Sequence, residues 1–310
     1  MKRLTQLGGA GLLILLVSII FWPDFSWQQA RAAAKPDAAS IADLVRRAVE
    51  NYKARQAQRD NYTYMERVVR TEYNRNGKVK GRLSGTYEIM FLKGAPYRRL
   101  LRTNDQPLSP QQEKLEQQLL EAEARARQAG ANFKPVRTSF SAPVEQLTEG
   151  FRLRGRGKEL LNGREVQVVE AIPADDYRPA GPEQEYARQF QMKLWIDMAE
   201  AQIVRVESRV VGERAAIDQT LGLSWSGSSA SPEFSTVKQR VEVTHGTVND
   251  MEWTKVNDEA WLPARSYWKT AKMTIVGLSS KGKPLSFPTE LTCTYSDYKK
   301  FRVDTRIVPQ

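Results

Sequence analysis

The sequence predicts a mainly β (α+β) fold, an open antiparallel β-barrel or highly curved sheet covered by an N-terminal helix and a helical insertion. Three observations predict it. Segments rich in β-formers recur at hairpin spacing, and no alternation of strand and helix marks a parallel sheet. Only two segments carry helical patterning, at 40–58 and 109–129.

In the first helix, Ile41, Leu44, Val45, Ala48, Val49 and Tyr52 recur at helical spacing behind a Ser40 cap. Arg46, Arg47, Glu50, Lys53 and Arg55 are expected on its opposite, solvated face. Such a helix needs a sheet to dock on. Tyr62–Val69, Thr86–Leu92 and Tyr97–Leu101 then read as an antiparallel meander with turns at Asn74–Gly77 and Lys93–Pro96.

The second helix starts at Ser109-Pro110, with a Ser-x-x-Gln capping box and proline at the first helical position. Its apolar stripe of Leu115, Leu119, Leu120 and Ala126 is thin, which predicts a surface or lid helix. Residues 131–149 read as a loop with a short helical turn at Val144–Leu147. Hairpins follow around Asn162-Gly163 and Met198–Gln202. The Gly- and Ser-rich stretch 212–235 reads as mobile, with strands at 236–247, 251–256, 261–269, 271–278 and 288–301. Ser280–Gly282 reads as a turn.

Residues 1–34 have the order of a secretory signal: Lys2 and Arg3, an apolar run from Gly8 to Trp22, then Ala30-Arg31-Ala32-Ala33-Ala34. The run is ~15 residues, short of the ~20 that span a bilayer comfortably. The expected product is exported, periplasmic and soluble, with 35–310 as a single β-rich domain. An uncleaved signal tethering the chain to the inner membrane is the alternative. Loss of Lys2, Arg3, Asp24 and Arg31 takes the formal charge from +11 to +9, which favours anionic partners.

The missing residue types restrict the chemistry. His245 is the single histidine, so any Ser-His-Asp or Cys-His arrangement would have to use it. One histidine and one cysteine cannot build a typical zinc site, and no cofactor or metal is expected. Cys293 lies in a strand-like segment and reads as a buried thiol. Asp175-Asp176, Asn249-Asp250 and Asn257-Asp258-Glu259 read as turn formers, not as a Ca²⁺ cage. No nucleic-acid module is recognisable.

Two positive signals remain. Arg152, Arg154, Arg156 and Lys158 would share one strand face, as a patch for anionic headgroups or as charges guarding an edge. Tyr62, Tyr64, Tyr87 and Phe91, with Phe190, Met192 and Leu194, alternate with polar residues and are the candidate lining of an apolar ligand site.

The hairpin Leu194-Trp195-Ile196-Asp197 with Ile203-Val204-Arg205-Val206-Glu207 resembles the LolA/LolB-like outer-membrane lipoprotein-sorting and lipid-binding superfamily. Gly94-Ala95-Pro96-Tyr97-Arg98-Arg99, Gly163-Arg164-Glu165-Val166 and Trp261-Leu262-Pro263 are similarly placed. The resemblance covers 40–301 and implies an incomplete antiparallel barrel with helices over an apolar concavity. It further implies noncovalent binding of lipid or lipoprotein acyl chains without catalysis; the basic residues at the rim would add peripheral contact with an anionic membrane surface. A structural or regulatory protein-interaction module on the same fold, and a carboxylate-dependent envelope hydrolase, are the rival expectations.

Overall fold

The structure is a computed structural model that describes residues 38–74, 76–92, 95–129, 143–148, 150–225, 233–276 and 284–300. The expected signal at 1–34, most of the loop at 131–149 and the Ser280–Gly282 turn lie outside the described residues.

Helix α1 (Ala38–Arg59) precedes a three-strand meander of β1 (Tyr62–Tyr73), β2 (Val79–Leu92) and β3 (Ala95–Thr103). A short β4 (Gln106–Pro107) leads into α2 (Pro110–Gln128), which begins with the expected capping box. A 3₁₀ turn at Val144–Gln146 leads into the next strands. The hairpins β5 (Phe151–Leu161)–β6 (Arg164–Pro173) and β7 (Phe190–Asp197)–β8 (Gln202–Val210) flank a one-turn α3 (Pro182–Ala187). Then follow β9 (Arg214–Trp225), β10 (Glu233–Thr244), β11 (Val248–Val256), β12 (Ala260–Val276) and β13 (Leu285–Lys300). Among the described residues no helix is long and apolar enough to cross a membrane.

The strands form one antiparallel sheet in the order β4-β3-β2-β1-β13-β12-β11-β8-β7-β6-β5, with β10 and then β9 branching from the far end of β12. The sheet is open, and the described strands do not close it into a barrel. Strand β12 divides its free side between two neighbours: β11 pairs with 260–269 and β10 with 273–276.

Three expectations are corrected. The described residues of 212–235 are largely strand, because β9 and β10 pair in register from Arg214–Thr244 to Trp225–Glu233. The two segments expected at 261–269 and 271–278 run together as one strand as far as Val276, since a bulge between Thr270 and Met273 absorbs the break in alternation without ending the pairing. Arg55 is buried at 4% exposure, not solvated. It lies three residues beyond Tyr52 and seven beyond Ala48, on the docked stripe.

That stripe carries α1 across β5, β8 and β12. Ile41, Val45, Ala48 and Val49 interlock there with Val169, Leu194, Ile196 and Val206 in the main core. The Arg55 guanidinium is sandwiched between the rings of Tyr52 (4.4 Å) and Trp253 (4.3 Å), and one amine donates to the Ile203 carbonyl at 2.7 Å. Burial pulls its pKa down to about 10.

Candidate functional site: one face, two halves

Residues paired across antiparallel strands point to the same face, so the register follows one face through the sheet. Leu194 pairs with Val206, Val206 with Met251, Met251 with Ser266, Ser266 with Cys293, Cys293 with Val68, and Val68 with Gly85. On β1 and β2 the alternation adds Tyr62, Tyr64, Glu66, Tyr87, Ile89 and Phe91 to this face. All seven residues read from the sequence as candidate lining therefore share the face that α1 docks on.

They fall into two halves of it. Phe190, Met192 and Leu194 lie in the main core at 2%, 1% and 0% exposure. A void wide enough for an acyl chain would leave its lining accessible to water, so these three side chains line a filled interior. Tyr64, Tyr87 and Phe91 are only partly buried. Tyr62 is fully buried and packs with Ala260 and Leu262 in a second small cluster.

The half on β13-β1-β2-β3 is built around aromatic rings. Tyr64 packs against Tyr298 (5.2 Å between ring centres) and edge-on to Tyr295 (6.0 Å), and Tyr62 also meets Tyr298 (6.4 Å). Burial raises the pKa of all three partners of this row, Tyr64, Tyr295 and Tyr298, so their hydroxyls stay neutral. Beside them Arg98 lies over the Tyr87 ring and donates to buried Glu66 at 2.5 Å. The Tyr87 ring in turn lies over Gly85, where a side-chain carbon would come within 2.8 Å of it. Nothing in the sequence paired Arg98 with Glu66. Tyr295 and Tyr298 are three residues apart and share this face only because β13 bulges opposite Tyr64, so a period-two reading of the sequence could not have found both.

The basic run on β5 behaves differently from its period-two reading. A bulge between Gly155 and Gly157, with Gly157 at φ 108°, makes Arg156 the extra residue. Arg152 and Arg154 pair with Ile172 and Glu170 on one face, whereas Lys158 pairs with Gln167 on the other. Lys158 thus leaves the patch. Arg152, Arg156 and Lys158 are also ion-paired, to Asp175, Glu170 and Glu165. Arg154 is exposed.

The Trp195-Ile196-Asp197 hairpin forms a lock at the other end of the sheet. Asp197 accepts from Arg164 (2.7 Å) and from the Glu200 backbone N–H (2.8 Å). The Glu200 carboxylate accepts from Arg164 (2.7 Å), Lys255 (2.8 Å) and the Trp261 indole (2.9 Å). Partial burial raises the Glu200 pKa, but these donors outweigh it and hold the value at about 2. Asn51 of α1 donates to the Glu200 and Ala201 carbonyls at 3.1 Å, tying the helix to the hairpin.

Among the other carboxylates flagged in the sequence one expectation is corrected: Asn249-Asp250 lie within β11, paired on both sides, and not at a turn. Asp250 chelates Arg205 (3.0 Å), and Glu259 accepts from Tyr62 and Lys300. Asn257 and Asp258 both have positive φ, as turn residues do. The exposed His245 places Nδ1 3.1 Å from the Val211 carbonyl. Cys293 is buried, and burial pushes its thiol up to about 11. Among the described residues no three His, Cys, Asp or Glu side chains group as metal ligands. A shallow crevice lined by Gly150, Phe151, Tyr177 and Arg188 has no room for an enclosed ligand and touches none of the seven candidates.

No protein-family model and no curated protein matches the chain. Solved structures similar to it include a DUF1329 family protein from Desulfovibrio piger, at 11% identity over 85% of this chain and 92% of that one, with a TM-score of 0.33. A LolA superfamily protein from Nitrosomonas europaea is similar at 8% identity over 87% and 97%, with a TM-score of 0.27. A putative outer membrane lipoprotein-sorting protein domain from Vibrio parahaemolyticus is similar at 12% identity over 82% and 92%, with a TM-score of 0.26.

Proposed function

We propose that the chain is a non-catalytic binding module of the cell envelope that holds an acyl chain of a lipid or lipoprotein on the aromatic half of its helix-covered face. The observation that carries this reading is the division of that face. The half under α1 is filled, while Tyr64, Tyr87, Phe91, Tyr295 and Tyr298 keep accessible surface on the other. Val68 and Leu100, also partly buried, extend the apolar area beside these rings. The Arg98–Glu66 pair neutralises the buried Glu66 carboxylate there, so the surface suits an uncharged chain. Each buried CH₂ contributes roughly 0.8 kcal/mol, which gives useful affinity without chemistry.

A second reading has its own support. Four tyrosines in one patch are typical of protein interfaces, where aromatic rings supply large packed area. The occupant would then be an apolar protein segment.

Native mass spectrometry with lipid extraction separates the two. Copurifying phospholipid or lipoprotein, or uptake of a fluorescent fatty acid that Tyr87→Ala weakens, is the expected result. A lipid-free protein that takes up no fatty acid overturns acyl binding.

A further inference from the structure

The β1–β2 hairpin extends past its neighbour on one side. β3 pairs with β2 only from Gly85 onward, whereas β1 and β2 remain paired to Tyr73–Val79. Among the described residues no strand pairs with the outer edge of 79–83. That edge carries Lys78, Lys80 and Arg82, all exposed, and none forms an ion pair among the described residues. The same edge carries Val79 and Leu83 at 54% and 45% exposure. A bulge at Lys80 puts Val79 on the face of Arg82 and leaves Leu83 on the other, so the edge is flanked by an apolar side chain on each side. The β5 run differs, because three of its four cations, Arg152, Arg156 and Lys158, are matched by Asp175, Glu170 and Glu165.

Unpaired cations interleaved with exposed aliphatics are the composition of an interfacial anchor. The charges attract an anionic surface, and the apolar side chains gain by entering the headgroup layer. Guarding an edge against strand addition would require the lysines alone, and gains nothing from exposed Val79 and Leu83. Next to the turn, the Asn74 side chain accepts from the backbone N–H groups of Asn76 and Lys78 at 3.0 and 2.9 Å. We propose that the free edge of the β1–β2 hairpin, with Lys78, Val79, Lys80, Arg82 and Leu83, docks on an anionic lipid surface. This is independent of what the aromatic half-face holds.

The test reads the hairpin itself. Asn76→Cys places a thiol in the exposed turn, and buried Cys293 stays unlabelled, so an environment-sensitive dye reports position 76 alone. With vesicles of phosphatidylglycerol in phosphatidylethanolamine the dye should shift to the blue, and with phosphatidylcholine vesicles it should not. Changing Lys78, Lys80 and Arg82 to Gln should weaken binding roughly fivefold per cation. Val79→Ser with Leu83→Ser should keep recruitment at low salt but lose the blue shift. No shift with anionic vesicles overturns the proposal, as does a Gln triple variant that binds like the parent. A response to soluble polyphosphate equal to that with vesicles, unchanged by the two Ser substitutions, would assign the edge to a polyanion instead.

Discussion

The Arg98 guanidinium lies 3.4 Å from the centre of the Tyr87 ring. Tyr87 can lie flat only because Gly85 beneath it has no side chain, and Arg98 can stay there because Glu66 binds it from the same face. Glycine, ring, cation and carboxylate form one stack at the centre of the aromatic half.

Gly85→Ala therefore lifts the Tyr87 ring and uncouples Arg98. Such overpacking costs about 1–3 kcal/mol. The expected outcome is a modestly lower denaturation midpoint together with weaker fatty-acid uptake. An unchanged affinity would separate Tyr87 from the ligand site.

Glu66→Gln leaves Arg98 without its counter-charge. Arg98 keeps about a third of its side chain in water, so the loss should fall at about 1–2 kcal/mol, below that of a fully buried pair. Urea unfolding of the variant checks the size. The aromatic half would also become cationic, and uptake should shift toward fatty acids with ionised headgroups.

The two halves of the face should respond oppositely to truncation. Leu194→Ala empties space in a filled core and should cost about 2–5 kcal/mol, with ligand affinity per folded molecule unchanged. Tyr87→Ala should cost less stability and more affinity. Parallel denaturation and uptake curves decide it, and equal effects on both properties would merge the halves.

These contrasts also show what the sequence made legible. Alternation alone put Tyr64, Tyr87, Phe190 and Leu194 on apolar strand faces, and the capping box placed α2 to within a residue. Alternation gives no register between distant strands, so it could not show that β2 and β7 share one face, nor which part α1 covers. The bulge at Gly155–Gly157 defeated the period-two reading of Lys158, because one extra residue reverses every side chain beyond it. The unpaired cations at 78–82 and the paired ones at 152–158 look alike in sequence. Only the partners tell them apart.

Acid should loosen the Glu200 lock. Its folded pKa, about 2, is lower than the ordinary 4.5, so it contributes stability above about pH 4.5 that is lost as pH falls toward 2. Glu200→Gln should flatten this limb of a urea-midpoint profile between pH 5 and 2. Retention of the full acid slope would assign it to other carboxylates.

The central claim is that ligand occupies the aromatic half and leaves the core under α1 filled. A photoactivatable fatty acid, crosslinked to the folded protein and mapped by peptide mass spectrometry, tests it most directly. The account predicts label on β1 and β2, around Tyr64, Tyr87 and Phe91. Label on β7 at Phe190–Leu194, or none on any strand, would contradict it.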